Sequence, residues 1–405
     1  MIIGKKMRVL PTKEQEILFR KSCGVARWAY NYFLSEKQRV YEEWKKDNTK
    51  QSYINNFEVR KEITKLKKKN EYLWLNEVGS NVIKQAVKDA DYNIQKFFKE
   101  QAKYPKFKKR GKVKESFYIN YETMKRKSKN IMQCEKIGKI RLSEEIPELR
   151  DNSHYKSPRI SYDGKYWYLS FSYDTEDLVE YKEEKVELTA NSYGIDLGLK
   201  DLVILSNQDA TIQKNYKNIN KTREIKRLEK KLKREQRKFS RRIENNIKCY
   251  EEYKPRKPIY KRDLQECKNI QKQKSKIKLI YRKIKNIRTN YIHQITSEIV
   301  KTKPFQIVME DLKIKNLMKN KYLSKSIQNA KWYEIRLQLK HKCKKYKIDF
   351  IIVPFNYPSS KTCSRCGNIK KDLKLKDRIY HCEHCGLIID RDYNASLNLA
   401  NYNLK

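Results

Sequence analysis

The chain has 405 residues, and its 95 Lys and Arg against 49 Asp and Glu leave a net charge of +46. That length allows two or three domains with cores of their own, and 29 Tyr with 12 Phe exclude a disordered chain. Folding cannot hide such a charge, so it selects a polyanionic partner, nucleic acid ahead of a membrane surface; the lysine bias of an AT-rich genome does not explain the excess over acids.

Residues 5–10 read as a short strand that Pro11 ends. Thr12 then has the character of an N-cap, with Glu14 and Glu16 in a first turn that favours acids. The pattern stays helical to about residue 102. Leu18, Cys23, Val25, Trp28 and Ala29 mark one apolar face, and Val82, Ile83, Ala86, Val87, Ala90 and Ile94 mark another in a helix over 80–99. In residues 103–120 aromatics alternate with cations, as in a basic loop entering a strand. Asp163-Gly164 sits between two alternating segments and predicts a type I′ hairpin, so 104–175 is a β-rich module. The acidic stretch 174–187 is a connector.

Residues 193–207 predict two paired strands. Two long basic helices follow, one with Ile225, Leu228, Leu232 and Phe239 as its stripe, the other with Ile270, Ile277, Ile284 and Tyr291. Pro255 and Pro258 separate them, which makes an antiparallel helical hairpin. An apolar strand over 305–312, a helix over roughly 328–347 and a buried strand over 348–355 complete an α/β unit. No apolar run approaches the about 18 residues that a spanning helix needs, and the first residues lack the apolar stretch of a signal peptide. A cytoplasmic, nucleoid-associated prokaryotic protein is expected, in which nine cysteines imply metal or free thiols rather than disulfides.

Cys363-x2-Cys366 and Cys382-x2-Cys385 have the spacing of a four-cysteine zinc site. Gly367 and Gly386 follow each pair, where such a turn needs positive φ. Four thiolates leave no open position, so this zinc is structural, and His381 and His384 read as surface residues or nucleic-acid contacts. Cys23, Cys134, Cys249, Cys267 and Cys343 read as small core residues. Two-metal phosphodiester hydrolysis needs a few carboxylates held by rigid elements. Asp196 in an apolar strand, Glu310 at a strand end and Asp392 before a last helix near Asn394 fit that need. Asp201, Asp311 and Asp390 rival them, and pattern alone does not choose.

The order GIDLGLKDL, VMEDLKIKNL, YPSSKTCSRCG and CGLIIDRDYNASLN, with the N-terminal RVLPTKEQ and VARWAYNYFL, resembles the TnpB/OrfB family of insertion-sequence proteins, relatives of the compact type V CRISPR effectors. The resemblance implies an α/β RNase H-like (RuvC) nuclease domain over 189–405, with a helical hairpin at 220–303 and an inserted zinc ribbon at 358–388. It also implies an N-terminal β-barrel-like wedge domain, 1–12 and 104–188, interrupted by a helical recognition domain, 13–103. Motif by motif, Asp196, Glu310 and Asp392 align with the catalytic, magnesium- or manganese-binding acids, and Asp390 and Arg391 with supporting residues. Ser396 stands where the family often has Ala, and the linker 245–262 is long.

The expected function is RNA-guided DNA cleavage beside a short flanking motif, by a monomer holding guide RNA and target double-stranded DNA. The alternatives are a CRISPR-array-guided type V effector, a non-catalytic DNA-binding or transposition accessory protein, and a guide-free RuvC resolvase. Ser80, Asn81, Lys84 and Gln85 are candidates for reading the flanking motif, with Lys106, Lys108, Lys109 and Arg110 as phosphate contacts.

Overall fold

The structure, a computed structural model, describes residues 1–180, 186–252, 257–374 and 377–402. Part of the acidic connector, 181–185, and Pro255 lie outside the described residues. The chain forms two compact units, residues 1–183 and 184–405.

In the first unit β1 (Ile2–Leu10) leads through a Thr12 capping box into α1 (Lys13–Lys46), where Thr12 Oγ1 accepts from Gln15 N and Gln15 Oε1 from Thr12 N. α2 (Asn56–Leu66) and α3 (Ser80–Phe98) follow, and α3 buries the apolar stripe its sequence predicts. Six strands come next: β2 (Ser116–Tyr118), β3 (Lys125–Ser128), β4 (Ile131–Cys134), β5 (Gly138–Leu142), β6 (Lys156–Tyr162) and β7 (Trp167–Asp174). They form one antiparallel sheet with β1 near its middle, in the order β2-β6-β7-β1-β5-β4-β3. Helices and sheet share one core, in which Phe19, Phe117 and Trp167 meet. The β6–β7 turn differs from expectation. Only Gly164 has positive φ (101°), and Asp163 N donates to Tyr166 O, so the central residues are Gly164-Lys165 in a type II′ pattern. The reason is local: Asp163 Oδ1 accepts from the backbone N–H of Lys165 and Tyr166, which fixes Asp163 as the flank.

The second unit opens with the meander β8 (Thr189–Asp196), β9 (Asp201–Asn207) and β10 (Gln213–Lys217). α4 (Arg223–Glu244), the small hairpin β11 (Ile247–Tyr250) and β12 (Pro258–Tyr260), and α5 (Lys268–Lys301) follow. Pro258 therefore begins a strand rather than only separating helices, and Cys249 on β11 is exposed, not a core residue; Cys267 is half-buried. β13 (Pro304–Glu310), α6 (Ile314–Leu317), α7 (Ser324–Ala330), α8 (Trp332–Lys345) and β14 (Asp349–Val353) come next. The single helix expected over 328–347 is broken at Lys331, held at φ 54° by bonds from its Nζ to Thr289 and Glu334. β14 lies at the sheet edge and is mostly half-buried rather than buried. β15 (Ile379–His381), β16 (Ile388–Asp390) and α9 (Arg391–Ala400) end the chain.

The main sheet runs β10-β9-β8-β13-β14, with β13 parallel to β8 and to β14. Its residues alternate between faces, as strands require. Tyr193, Ile195, Ile307 and Met309 pack with α5 and α8, while Val308 and Val353 pack with Leu399 of α9. α9 lies close because Gly194 has no side chain: a Cβ there would stand 1.9 Å from Ser396 O and 2.3 Å from Ala400 N.

Candidate active site and metal centre

Register and parity assemble the acids. Val308 pairs with Gly194 and Met309 with Ile195, so Glu310 stands level with Asp196 on neighbouring strands. Asp196 shares the parity of Gly194, and Glu310 that of Val308, which places both on the face that α9 covers. Asp196 ends β8 instead of interrupting it, and Asp392 is the second residue of α9, which begins three residues earlier than Asn394. Asp392 and Glu310 both lie near enough to Asp196 for their charges to act on it. Burial pushes Asp196 up from 3.8 to about 7, the charges of Asp392 and Glu310 push the same way, and Arg391 opposes them. Glu310 is raised as well, by burial and then by Asp311.

The rival acids have other partners. Asp390 is exposed and caps α9, its Oδ1 accepting from Asp392 N at 2.9 Å and Tyr393 N at 3.0 Å. Asp311 pairs with Arg336 at 2.5 Å. Asp201 begins β9. Two cations sit on Asp392: Arg391 Nη2 at 3.0 Å from Oδ1, and Arg378 Nη1 at 3.6 Å from Oδ2. Sequence reasoning missed Arg378, because it lies outside every motif and meets Asp392 only through the pairing of β15 with β16.

The four cysteines come together between β14 and α9, all four Sγ atoms within 4.8 Å of one another. Cys363 Sγ lies 3.5 Å from Cys385 Sγ, and Cys366 Sγ 3.6 Å from Cys382 Sγ. Tetrahedral thiolate ligation with bonds of about 2.3 Å has edges of about 3.8 Å, so this donor set fits zinc. Gly367 (φ 76°) and Gly386 (φ 71°) close the two knuckles in the left-handed region. His381 and His384 are exposed beside it. Asn394 ties the first knuckle to α9, its Oδ1 accepting from Ser364 N and its Nδ2 donating to Thr362 O.

In the first unit Ser80 and Lys84 are exposed on α3; Asn81 Nδ2 donates to Glu135 and Gln85 Nε2 to Asp89, which Arg159 also holds. Lys106, Lys109 and Arg110 are exposed, whereas Lys108 is half-buried with its Nζ 3.5 Å over the Tyr30 ring.

The chain has the fold of a compact type V effector: it aligns over 100% of its length, and 99% of the other chain, with TM-score 0.56 and 15% identity, to the "Cryo-EM structure of the Cas12f1-sgRNA-target DNA complex". Three family models match consecutive parts: a helix-turn-helix domain of OrfB proteins over 1–46, the OrfB "Probable transposase" model over 170–321, and a "Cas12f1-like, TNB domain" over 332–399. The chain is similar to the TnpB/OrfB family of insertion-sequence proteins over these segments. Its first 46 residues hold one strand and one continuous 34-residue helix, not two helices joined by a turn. A Streptomyces pristinaespiralis protein is 27% identical over 97% of this chain and 87% of its own length. Escherichia coli InsQ is 26% identical over 97% and 90%, and both bear the name "Putative RNA-guided DNA endonuclease". Among the described residues no helix is long and apolar enough to cross a membrane.

Proposed function

We propose that this protein is an RNA-guided DNA endonuclease whose RuvC-like, RNase H-type second unit cuts DNA with Asp196, Glu310 and Asp392. The observation that carries the reading is the placement of Asp196 and Glu310 level with each other on neighbouring strands, with Asp392 at the start of α9 near enough that its charge and that of Glu310 add to burial in raising Asp196 to about 7. Such a cluster of hard oxygen donors suits Mg²⁺ or Mn²⁺. Bound divalent ions would activate the attacking water and stabilise the leaving oxygen. The chain's own part is to hold the acids rigidly on two strands and a helix start, with Arg378 and Arg391 balancing Asp392. Guide RNA and target DNA then account for the charge of +46. In this reading Asn81 and Gln85 trade their carboxylate partners for base edges of the flanking motif.

The test is programmed cutting. Purified protein should carry a discrete structured RNA, and rewriting its guide segment should redirect cleavage. If RNase-treated, RNA-free protein cuts double-stranded DNA at the same sites, guidance is refuted.

The sulfur geometry supports zinc as the occupant of the four-cysteine cluster. Elemental analysis should find one zinc per chain, and Cys363→Ser or Cys385→Ser should lose it and expose 358–388 to protease, because so small an insert cannot hold itself together. A fully folded wild type without zinc contradicts this.

Asp196 also predicts a pH dependence. Its folded pKa of about 7 exceeds the ordinary 3.8, so metal-free protein binds an extra proton between those values and loses stability as pH rises through them. Mg²⁺ should therefore bind more tightly, and stabilise more, above about pH 7 than below it. Thermal melts with and without Mg²⁺ across this window check the sign; a Mg²⁺ effect that weakens with rising pH contradicts it.

A further inference from the structure

The C-terminal end of α3 leaves large aromatic rings in water. Phe98 is 68% exposed, Tyr104 47% and Phe97 37%. They form one cluster: the Phe97 and Phe98 centroids are 5.5 Å apart, and those of Phe97 and Tyr104 5.3 Å in an edge-on contact. The chain turn builds it. Glu100 adopts φ 57°, and Gln101 N donates to Lys96 O, which folds the following residues back toward the helix end. Lys99, Lys103 and Lys106 neighbour the rings in sequence, all exposed, and Glu100 is the one acid over 97–106.

Exposed rings cost solubility unless something covers them, and their flanking cations ask for an anion. A flat ring beside phosphate-binding cations is how unpaired nucleobases are held. We infer that Phe97, Phe98 and Tyr104 form a stacking platform for unpaired bases of RNA, with Lys99, Lys103 and Lys106 on the flanking phosphates. RNA rather than DNA is the occupant because the cluster is permanently exposed and needs a resident cover. In the proposed function, on which this rests, RNA is resident and target DNA transient.

The test reads stacking rather than cleavage, so it stands apart from the nuclease reading. A short unstructured RNA carrying 2-aminopurine is titrated into full-length, RNA-stripped protein at high salt, where general charge binding is suppressed. Wild type should quench the fluorophore. Phe98→Ala and Tyr104→Ala should each lose the quenching and about tenfold in affinity, while Phe98→Tyr should keep both. Both positions are exposed, so melting curves should match wild type. Unchanged quenching in Phe98→Ala overturns the platform. Equal or stronger quenching of the matching single-stranded DNA probe overturns the assignment to RNA. Wild-type quenching of the RNA probe by a protein that proves guide-independent in cutting would refute RNA guidance and leave the platform standing.

Discussion

Asp392→Ala should abolish guided cleavage, falling by about 10³-fold or more, while Asp390→Ala should keep most of it. Removing Asp392 deletes one of the three oxygen donors of the proposed metal site, and stabilisation by metal-bridged carboxylates is worth several kcal/mol in the transition state. Asp390 faces away and serves the helix: its Oδ1 caps Asp392 N and Tyr393 N. Losing it should cost about 1 kcal/mol of stability and a minor part of the rate. Target binding should survive both changes, because neither acid attracts phosphate. Cleavage time courses on guide-matched DNA, with gel-shift binding alongside, separate the two. If Asp390→Ala is dead and Asp392→Ala active, the third acid is misassigned.

Gly194→Ala should be as damaging as loss of an acid, although the residue touches no substrate. Its Cβ would meet Ser396 O at 1.9 Å and Ala400 N at 2.3 Å, both backbone atoms of α9. Backbone cannot swing aside as a side chain can, and α9 is fastened at several points. Ser192 Oγ donates to Ala400 O, Ser206 Oγ to Ser396 Oγ, and Gln306 Nε2 to Ser192 Oγ. The helix must shift as a body, taking Asp392 with it. A cost of about 3 kcal/mol is expected from such overpacking, seen as a melting drop of roughly 6–12 °C, with cleavage lost well below the new melting point. A variant that melts and cuts like wild type would show that α9 does not rest on Gly194.

The Ser206–Ser396 contact also answers a question that the sequence raises. Ser396 departs from the alanine common in the family, yet it is fully buried. Its hydroxyl donates to Tyr393 O and accepts from Ser206, so the extra polar atom is satisfied.

What could be read beforehand was whatever repeats locally. The α3 stripe follows from 3.6-residue periodicity, and the convergence of the cysteines follows from spacing because each knuckle is a four-residue unit. Asp196 stood out as an acid inside an apolar strand and Glu310 as one at a strand end. Their choice over rivals came from the resemblance alone, since the residue pattern does not separate a capping Asp390 from Asp392. Gly194 was unreadable for another reason: its partners are two hundred residues away, and only packing reveals the collision. Lys331 gave no sign of breaking a helix, because the bond that holds it comes from Thr289 on a different element. The β11–β12 hairpin hid in a stretch whose prolines suggested only a break.

The insert between β14 and α9 has a consequence for the order in which the molecule becomes competent. β16 runs straight into α9, Arg391 N donates to Arg378 O, and Asn394 binds the first cysteine knuckle, so Asp392 inherits its position from the folded insert. Under the proposed metal assignment, two ions of opposite taste would act in series. The sulfur-held ion would have to arrive first, and only afterwards would the oxygen-lined site exist for a hard one. On that assignment, a cell short of zinc would accumulate protein that no amount of magnesium activates.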